Sequence, residues 1–315
     1  MKTRIGLCFA VVSTSLAFAP AALADEQAAP GERVVVVPEG LRLPVPYVER
    51  PLTYGAGVLS PELDLDIVHE GLFVNGLAAD VGVPTVGLMG IGASYALTND
   101  VSVRGVVFDL QFNKPTQLVL GELGLTYRVI RGNFELGLGL DWVYQANGDA
   151  PGQTILPSVP MRVHIGRVAR FDLSPALPIS TAGVYVPYTT TFFSASQGFG
   201  LAAGGGKTSV GLAVPVAFSL QPLDQLYLSV GTGFSVTFNA SSVNGAFIDG
   251  DTFYIPLNFE LGVTIPGPHG PILDLSPFFS LPTLFVPAID QRTGLNAVQT
   301  AFWFAGVRLS TFFYL

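Results

Sequence analysis

The residues that could carry catalysis or bind a metal ion are few and widely spaced. The chain has one cysteine, Cys8, and three histidines, His69, His164 and His269. His69 is followed by Glu70, and with an acid such as Asp80 it could imitate an acid–histidine pair. None of the spacings matches a metal-ligand or nucleophile motif. We therefore predict no catalytic residue, no metal ion and no cofactor, and a hydrolase is the third of three functional hypotheses.

The only cysteine lies in a predicted export signal at the N-terminus. Lys2 and Arg4 precede an apolar stretch over residues 5–19, and an A-x-A cleavage site ends at Ala24. This pattern predicts a signal peptide over residues 1–24. The mature chain would begin at Asp25 without any cysteine, which excludes disulfide bonds and thiolate metal sites.

The composition of the whole chain excludes further classes of protein. Hydrophobic residues make up 49% and charged residues only 12%, about half the usual charged share. After residue 24 no segment reaches the roughly 18 consecutive apolar residues of a membrane helix, so helical spans are not predicted. Removing Lys2 and Arg4 changes the formal charge from −8 to −10 and leaves two lysines, so no nucleic-acid partner is predicted.

The apolar residues are distributed over short alternating segments. Between residues 134 and 144 the even positions are Phe, Leu, Leu, Leu, Trp and Tyr, whereas the odd positions are mostly glycine and acids. Alternation with period two predicts β-strands, and a second face with few charges fits a barrel lumen. We predict an all-β fold, a transmembrane antiparallel up-and-down β-barrel of about twelve strands. The predicted strands cover residues 60–71, 84–97, 101–112, 117–130, 133–145, 155–166, 168–180, 207–221, 225–238, 251–265, 271–283 and 300–315.

The connections between these segments favour the same fold. Short turns and longer loops alternate, as in barrels with periplasmic turns and outer loops, and this places both termini in the periplasm. Only the connection at residues 113–116 departs from the alternation. Prolines inside strands cannot donate a ladder hydrogen bond, and the sequence leaves open whether they mark bulges, rims or wrong boundaries. These prolines are Pro160, Pro175, Pro215, Pro256 and Pro277.

Residues 25–53 differ from the barrel region, residues 54–315. They contain five prolines and several charges, which predicts an extended periplasmic N-terminal segment. Two alternatives stay open for this segment. It is either a free tail or a plug that enters the mouth of the barrel.

The C-terminal strand carries the most specific resemblance. It places five apolar residues on one face, although Thr311 interrupts the row and the chain ends in leucine rather than the usual phenylalanine. The five are Trp303, Val307, Leu309, Phe313 and Leu315. The pattern resembles the signal that Gram-negative outer-membrane β-barrel proteins present to the barrel-assembly machinery. The resemblance covers residues 54–315. It implies a bacterial outer-membrane location, with the assembly machinery, outer-membrane lipid and lipopolysaccharide as partners.

Alternation also predicts which charged residues line the lumen. They are Asp64, Asp66, Glu122, Arg128, Glu135, Asp141, Arg162, His164, Asp172, Glu260, Asp274 and Arg308. Buried charges need partners, so one interpretation is an ion-pair network inside a sealed structural or surface-display barrel. The other is a polar path that selects solutes by charge. Because acids outnumber bases, our leading hypothesis is an outer-membrane channel or transport-type barrel for small solutes that prefers cations. The sealed barrel is the alternative.

Overall fold

One antiparallel sheet closes on itself to form a barrel. The structure is a computed structural model. It describes residues 43–70, 72–74, 77–79, 86–111, 120–145, 152–180, 183–187, 198–202, 208–240, 250–285, 287–289, 296–298 and 302–315. The first strand pairs with the last, with Asp64 opposite Arg308, so the sheet is closed. The predicted signal peptide and residues 25–42 lie outside the described residues.

Twelve strands, numbered β1–β12 along the chain, form the barrel. Their bounds are β1 Val58–Glu70, β2 Val86–Ala96, β3 Val101–Gln111, β4 Leu120–Ile130, β5 Phe134–Gln145, β6 Gly152–Ser158 and Met161–Ile165, β7 Ala169–Leu173 and Ile179–Ser180, β8 Ser209–Leu223, β9 Leu226–Ala240, β10 Gly250–Gly267, β11 Gly270–Phe285, and β12 Phe302–Thr311 and Phe313–Tyr314. The predicted all-β barrel of about twelve antiparallel strands is confirmed.

Shorter elements lie before and between the barrel strands. A single turn of 3-10 helix, Tyr47–Glu49, precedes β1. Three small hairpins occur in the connections: Leu72–Val74 with Leu77–Ala79, Gly183–Pro187 with Gly198–Ala202, and Pro287–Ile289 with Asn296–Val298. None of the helices among the described residues is long and apolar enough to cross a membrane.

Five tight turns define one end of the barrel, which we call the turn end; the opposite end is the loop end. The turns join consecutive strands through residues 97–100, 131–133, 166–168, 224–225 and 268–269. The connection predicted at residues 113–116 is longer than expected, because β3 ends at Gln111 and β4 begins at Leu120. Residues 112–119 themselves lie outside the described residues.

The prolines in the predicted strands have different explanations. Pro160 and Pro175 lie where β6 and β7 are interrupted, so the prediction of two continuous strands there was wrong. Pro256 lies at a register shift between β10 and β11, where the regular pairing of the two strands is interrupted. Pro215 stays in β8 opposite Gly233, whose φ of +139° and close approach to the Val214 carbonyl leave no room for a side chain.

The two faces of the sheet differ in polarity. In β5, Leu138 and Leu140 are 53% and 51% exposed, whereas Glu135 and Asp141 are 3% and 7% exposed. The same alternation recurs around the barrel, so large apolar side chains face outward and polar side chains are buried inside. A soluble protein has the reverse arrangement. An apolar exterior around a polar interior is the arrangement of a β-barrel in lipid.

Candidate functional site in the barrel interior

The twelve charged residues predicted to line the lumen are all buried on the inner face, each at most 9% exposed. They are Asp64, Asp66, Glu122, Arg128, Glu135, Asp141, Arg162, His164, Asp172, Glu260, Asp274 and Arg308. The structure groups most of them into ion-paired clusters. The arrangement therefore contains the ion pairs expected of a sealed barrel and also the polar wall expected of a channel.

The acidic cluster consists of Arg104, Glu122 and Asp141 on β3, β4 and β5. Arg104 Nε donates to Glu122 Oε1 at 2.8 Å, and Arg104 Nη2 lies 3.4 Å from Asp141 Oδ1. Gly124 lies opposite both Arg104 and Asp141, and a Cβ there would overlap the Asp141 carboxylate. The glycine lets the carboxylate lie flat on the wall. One guanidinium faces two carboxylates, which leaves this wall with net negative charge.

The seam cluster lies where β1 and β12 close the barrel. Arg308 Nε is 2.9 Å from Glu62 Oε1 and 2.9 Å from Asp64 Oδ1. Asp66 is buried on the same face, with its carboxylate over Gly306, where a Cβ would overlap it. Three carboxylates thus share the seam with one guanidinium.

The third wall, which we call the tyrosine wall, lies on β9–β11. Tyr227 Oη donates to Glu260 Oε1 at 2.8 Å and lies 2.7 Å from Ser276 Oγ. The ring of Tyr227 covers Gly262, where a Cβ would overlap the ring carbons. Glycine at this position is required for the tyrosine to lie against the wall.

Residues 43–53, which we call the plug segment, lie inside the barrel at the turn end. Leu43 and Val48 are fully buried, and Leu43 packs with Val58 and Phe312 at the seam. Of the two alternatives for residues 25–53, the described part enters the mouth as a plug. The boundary of the N-terminal segment at residue 53 stays a prediction.

The basic cluster receives the main chain of the plug segment. It consists of Arg128, Glu135, Arg162, His164, Arg170 and Asp172, on β4–β7. Arg162 Nε and Arg170 Nε donate to the two oxygens of Asp172 at 2.6 and 2.7 Å. The same arginines donate from Nη1 to the carbonyls of Arg50 at 2.8 Å and Tyr47 at 2.7 Å. Asp172 therefore orients two guanidinium groups toward the plug segment.

Further polar contacts complete this main-chain recognition. The Val48 carbonyl can only accept, so His164 donates to it from Nδ1, at 2.7 Å. Leu52 N donates to Glu135 Oε2 at 2.7 Å, and Val48 N donates to Gln221 Oε1 at 3.3 Å. The main chain of the plug segment is thus bound from several strands.

Tyr47 anchors the plug segment to the tyrosine wall. Its ring stacks on Tyr227 with centroids 3.9 Å apart and planes 8° apart, and the Arg170 guanidinium lies 4.0 Å from its centroid. Burial raises the pKa of the Tyr47 hydroxyl above its ordinary value. Gly262, Tyr227, Tyr47 and Arg170 form one layered stack across the mouth.

Arg50 is the second anchor and forms an ion pair with Asp274. Its Nη2 donates to Asp274 Oδ1 at 3.0 Å and to Thr264 Oγ1 at 3.1 Å, and its guanidinium lies 5.2 Å from the Phe312 ring centroid. Burial alone would lower the pKa of Arg50, but Asp274 outweighs burial and raises it. The guanidinium therefore stays charged inside the mouth.

Four charged residues of the interior were not among the predicted set: Glu62, Arg50, Arg104 and Arg170. Strand alternation could have found Glu62 and Arg170, because each lies two positions from a predicted inward residue, Asp64 or Asp172. It could also have found Arg104, which lies opposite Gly124, two positions from the predicted inward residue Glu122. No comparable signal exists for Arg50, which lies in a segment without periodicity.

Candidate catalytic groups do not assemble in the described residues. No group of three or more His, Cys, Asp or Glu there could hold a metal ion. His164 binds the plug segment, and the His269 ring lies 6.1 Å from the Tyr314 ring at the turn end. The side chain of His69 and all of Asp80 lie outside the described part of the chain.

The predicted assembly signal lies on the outer face of β12. Val307, Phe313 and Leu315 are exposed, and Trp303 and Leu309 are partly buried. They share a face that is directed away from the lumen, as the pattern requires. Recognition by the assembly machinery stays a prediction.

The closed antiparallel sheet, the apolar exterior and the charged interior together define the class of protein. The chain is a transmembrane β-barrel of the outer-membrane type.

Comparisons with known proteins do not narrow this class to a family. No family model matches the chain, and no curated protein matches it. Among solved structures, the NanC porin is 9% identical, with 78% of this chain and 98% of that chain covered and a TM-score of 0.47. An outer membrane channel from Pseudomonas putida F1 is 11% identical, with 91% and 100% covered and a TM-score of 0.48. Pseudomonas aeruginosa OprD is 13% identical, with 80% and 66% covered and a TM-score of 0.36.

Proposed function

We propose that this protein is an outer-membrane channel that passes small solutes and prefers cations. The observation that carries the proposal is the charge balance of the inner wall. Nine carboxylates of the described residues face the interior: Glu62, Asp64, Asp66, Glu122, Glu135, Asp141, Asp172, Glu260 and Asp274. Six guanidinium groups oppose them: Arg50, Arg104, Arg128, Arg162, Arg170 and Arg308. A low-dielectric wall with surplus negative charge raises the local concentration of cations.

The position of the surplus supports the same function. Four of the six arginines lie at the turn end, where Arg162 and Arg170 donate to the plug segment and Arg50 is part of it. The acidic and seam clusters, in contrast, combine five carboxylates with two arginines. A cation entering from the loop end would therefore meet a net negative wall before it reaches the plug segment.

The cellular setting belongs to the same proposal. We place the turn end in the periplasm, with export directed by residues 1–24 and insertion directed by the C-terminal strand. Outer-membrane lipid, lipopolysaccharide and the barrel-assembly machinery are the expected partners. The permeating solute is defined only by its small size and positive charge.

The test is the reversal potential of the refolded full chain in a planar bilayer under a KCl gradient. We expect potassium to be preferred over chloride. Glu122→Gln and Glu260→Gln should each reduce that preference, because each removes a negative charge from the inner wall. Asp224→Asn is the matched control, since it removes the same charge from an exposed turn residue outside the lumen. A preference for chloride in the unaltered protein would contradict the proposal.

A sealed structural barrel is the second candidate, and the plug segment is the observation that favours it. Residues 43–53 occupy the mouth at the turn end, and buried ion pairs lie along the inner wall. A sealed barrel would be silent in the bilayer while still migrating on a gel as a folded, heat-modifiable protein. Conductance steps in the full chain would exclude this second function.

A further inference from the structure

The barrel binds the plug segment chiefly through the main chain. Three side chains of the basic cluster donate to main-chain carbonyl oxygens, those of Tyr47, Val48 and Arg50. Main-chain N–H groups of Val48 and Leu52 donate to wall side chains. Recognition of alternate carbonyl and N–H groups is how proteins bind peptides in extended or turn conformations.

The composition of the plug segment suits such binding. Pro44, Pro46 and Pro51 have fixed φ and no N–H group, so they leave fewer donors to satisfy inside the mouth. A proline-rich chain also loses less conformational freedom when it is ordered. Tyr47 and Arg50 then provide the two specific side-chain contacts, with Tyr227 and Asp274.

The receiving side chains are organised by the barrel itself. Asp172 orients Arg162 on the neighbouring strand β6 and Arg170 on its own strand β7, through bonds of 2.6 and 2.7 Å. Arg128 Nη1 donates to Glu135 Oε1 at 2.8 Å. None of these contacts involves the plug segment, so the barrel itself supplies contacts that hold the receiving side chains in place.

The link between the plug segment and β1 is held separately. Ala56 N donates to Asn99 Oδ1 at 2.9 Å, and Gly57 N donates to the Ala96 carbonyl at 2.9 Å. Gly57 has φ of +79°, which forms the turn into β1. These contacts fix the link on the β2–β3 turn, whereas Tyr47 and Arg50 bind other parts of the wall.

We propose that the turn end of the lumen is a peptide-binding site and that residues 43–53 are its tethered ligand. The ligand class is a proline-rich peptide that has a tyrosine followed three residues later by an arginine. The same peptide, supplied free, binds this site whenever the chain's own segment has left it. This inference concerns binding and does not depend on conductance.

The experiment uses the full chain with a protease recognition site inserted between Tyr54 and Gly55. The refolded protein is cleaved, and a fluorescent peptide of residues 43–53 is added while its anisotropy is followed. We expect saturable binding as the peptide exchanges with the cleaved segment. A peptide carrying Tyr47→Ala and Arg50→Ala should bind about tenfold more weakly or worse, because it lacks both anchors. Absence of exchange, or equal binding of the altered peptide, would overturn the inference.

A second variant keeps the test decisive if the insertion prevents folding. The uncleaved full chain carrying Tyr47→Ala and Arg50→Ala retains every barrel residue but has lost the two anchors of its own segment. The native peptide should bind this variant at least about tenfold more tightly than it binds the unaltered chain, whose site is already occupied. Equal binding to the two proteins, or to a peptide of scrambled order, would also overturn the inference.

Discussion

The basic and acidic clusters are built from the same residue types in opposite proportions. The basic cluster has three arginines for two carboxylates, and its extra donors bind main-chain carbonyls of the plug segment. The acidic cluster has one arginine for two carboxylates. The ratio of guanidinium to carboxylate groups therefore distinguishes a wall that binds the plug segment from one that we propose faces cations. Arginine suits the first task because its planar fork can donate to a carboxylate and a carbonyl together.

The largest expected effect is a difference between the two clusters in their contribution to the free energy of unfolding. Arg162→Ala leaves the buried Asp172 with one fewer partner and removes a donor to the Arg50 carbonyl, so we expect about 3–5 kcal/mol loss of unfolding free energy. Arg104→Ala acts on a more exposed pair and should cost about 1–3 kcal/mol. Urea unfolding in lipid vesicles measures both.

The control for this comparison is Arg167→Ala. Arg167 is 77% exposed in a turn, and its removal should change the free energy of unfolding by about 0.5 kcal/mol or less. If Arg104→Ala lowered the free energy of unfolding as much as Arg162→Ala, the two clusters would not differ in their contribution to stability.

An effect of intermediate size is expected from a substitution at Gly262, in the wall that supports Tyr227 and Tyr47. Gly262→Ala places a methyl group in the Tyr227 ring, which must move and lose its stack with Tyr47. We expect a loss of about 1–3 kcal/mol in unfolding free energy. Gly121→Ala is the matched control, because a Cβ there meets nothing within 4 Å. Equal stability of the two variants would show that the stack contributes little.

The smallest effect concerns Asp100, in the β2–β3 turn at the edge of the basic cluster. Burial opposes its ionisation, but the hydrogen bond and charge of Arg131, followed by those of Arg128, lower its pKa below the ordinary 3.8. A lowered folded-state pKa means that the stabilisation is present above the unfolded value and is lost as the pH falls through the folded value.

Asp100→Asn should therefore be slightly less stable than the unaltered protein near neutral pH. The difference should vanish in strong acid, where the carboxyl of the unaltered protein is protonated in both states. Urea unfolding across the acidic range measures this dependence. A difference that grew as the pH fell would contradict the assigned direction.

Sequence periodicity predicted the parts of this molecule that the sheet itself determines. A pleated strand in lipid must alternate, so the inward position of residues such as Glu122 and Asp141 followed from their neighbours. The interruptions of β6 and β7 did not follow, because a proline such as Pro160 is compatible with a bulge, a rim or a break.

The local sequence pattern could not predict that residues 43–53 lie in the mouth of the barrel. Arg50 meets Asp274, which is 224 positions away along the chain. That contact exists only because the barrel closes and brings β1, which follows the plug segment, beside β12 and so close to β11. The sequence around Arg50 has no repeat from which a partner could be inferred, so both a tail and a plug stayed open for residues 25–53, and the tail was the simpler interpretation.

The short link through Gly57 has a kinetic consequence. A ligand attached by a few residues experiences its site at an effective concentration on the order of millimolar. Its return is a first-order event, so the rate is the same for an isolated barrel and a crowded membrane. A free competitor at micromolar concentration meets the site about a thousand times less often, and it gains entry only if it binds correspondingly more tightly.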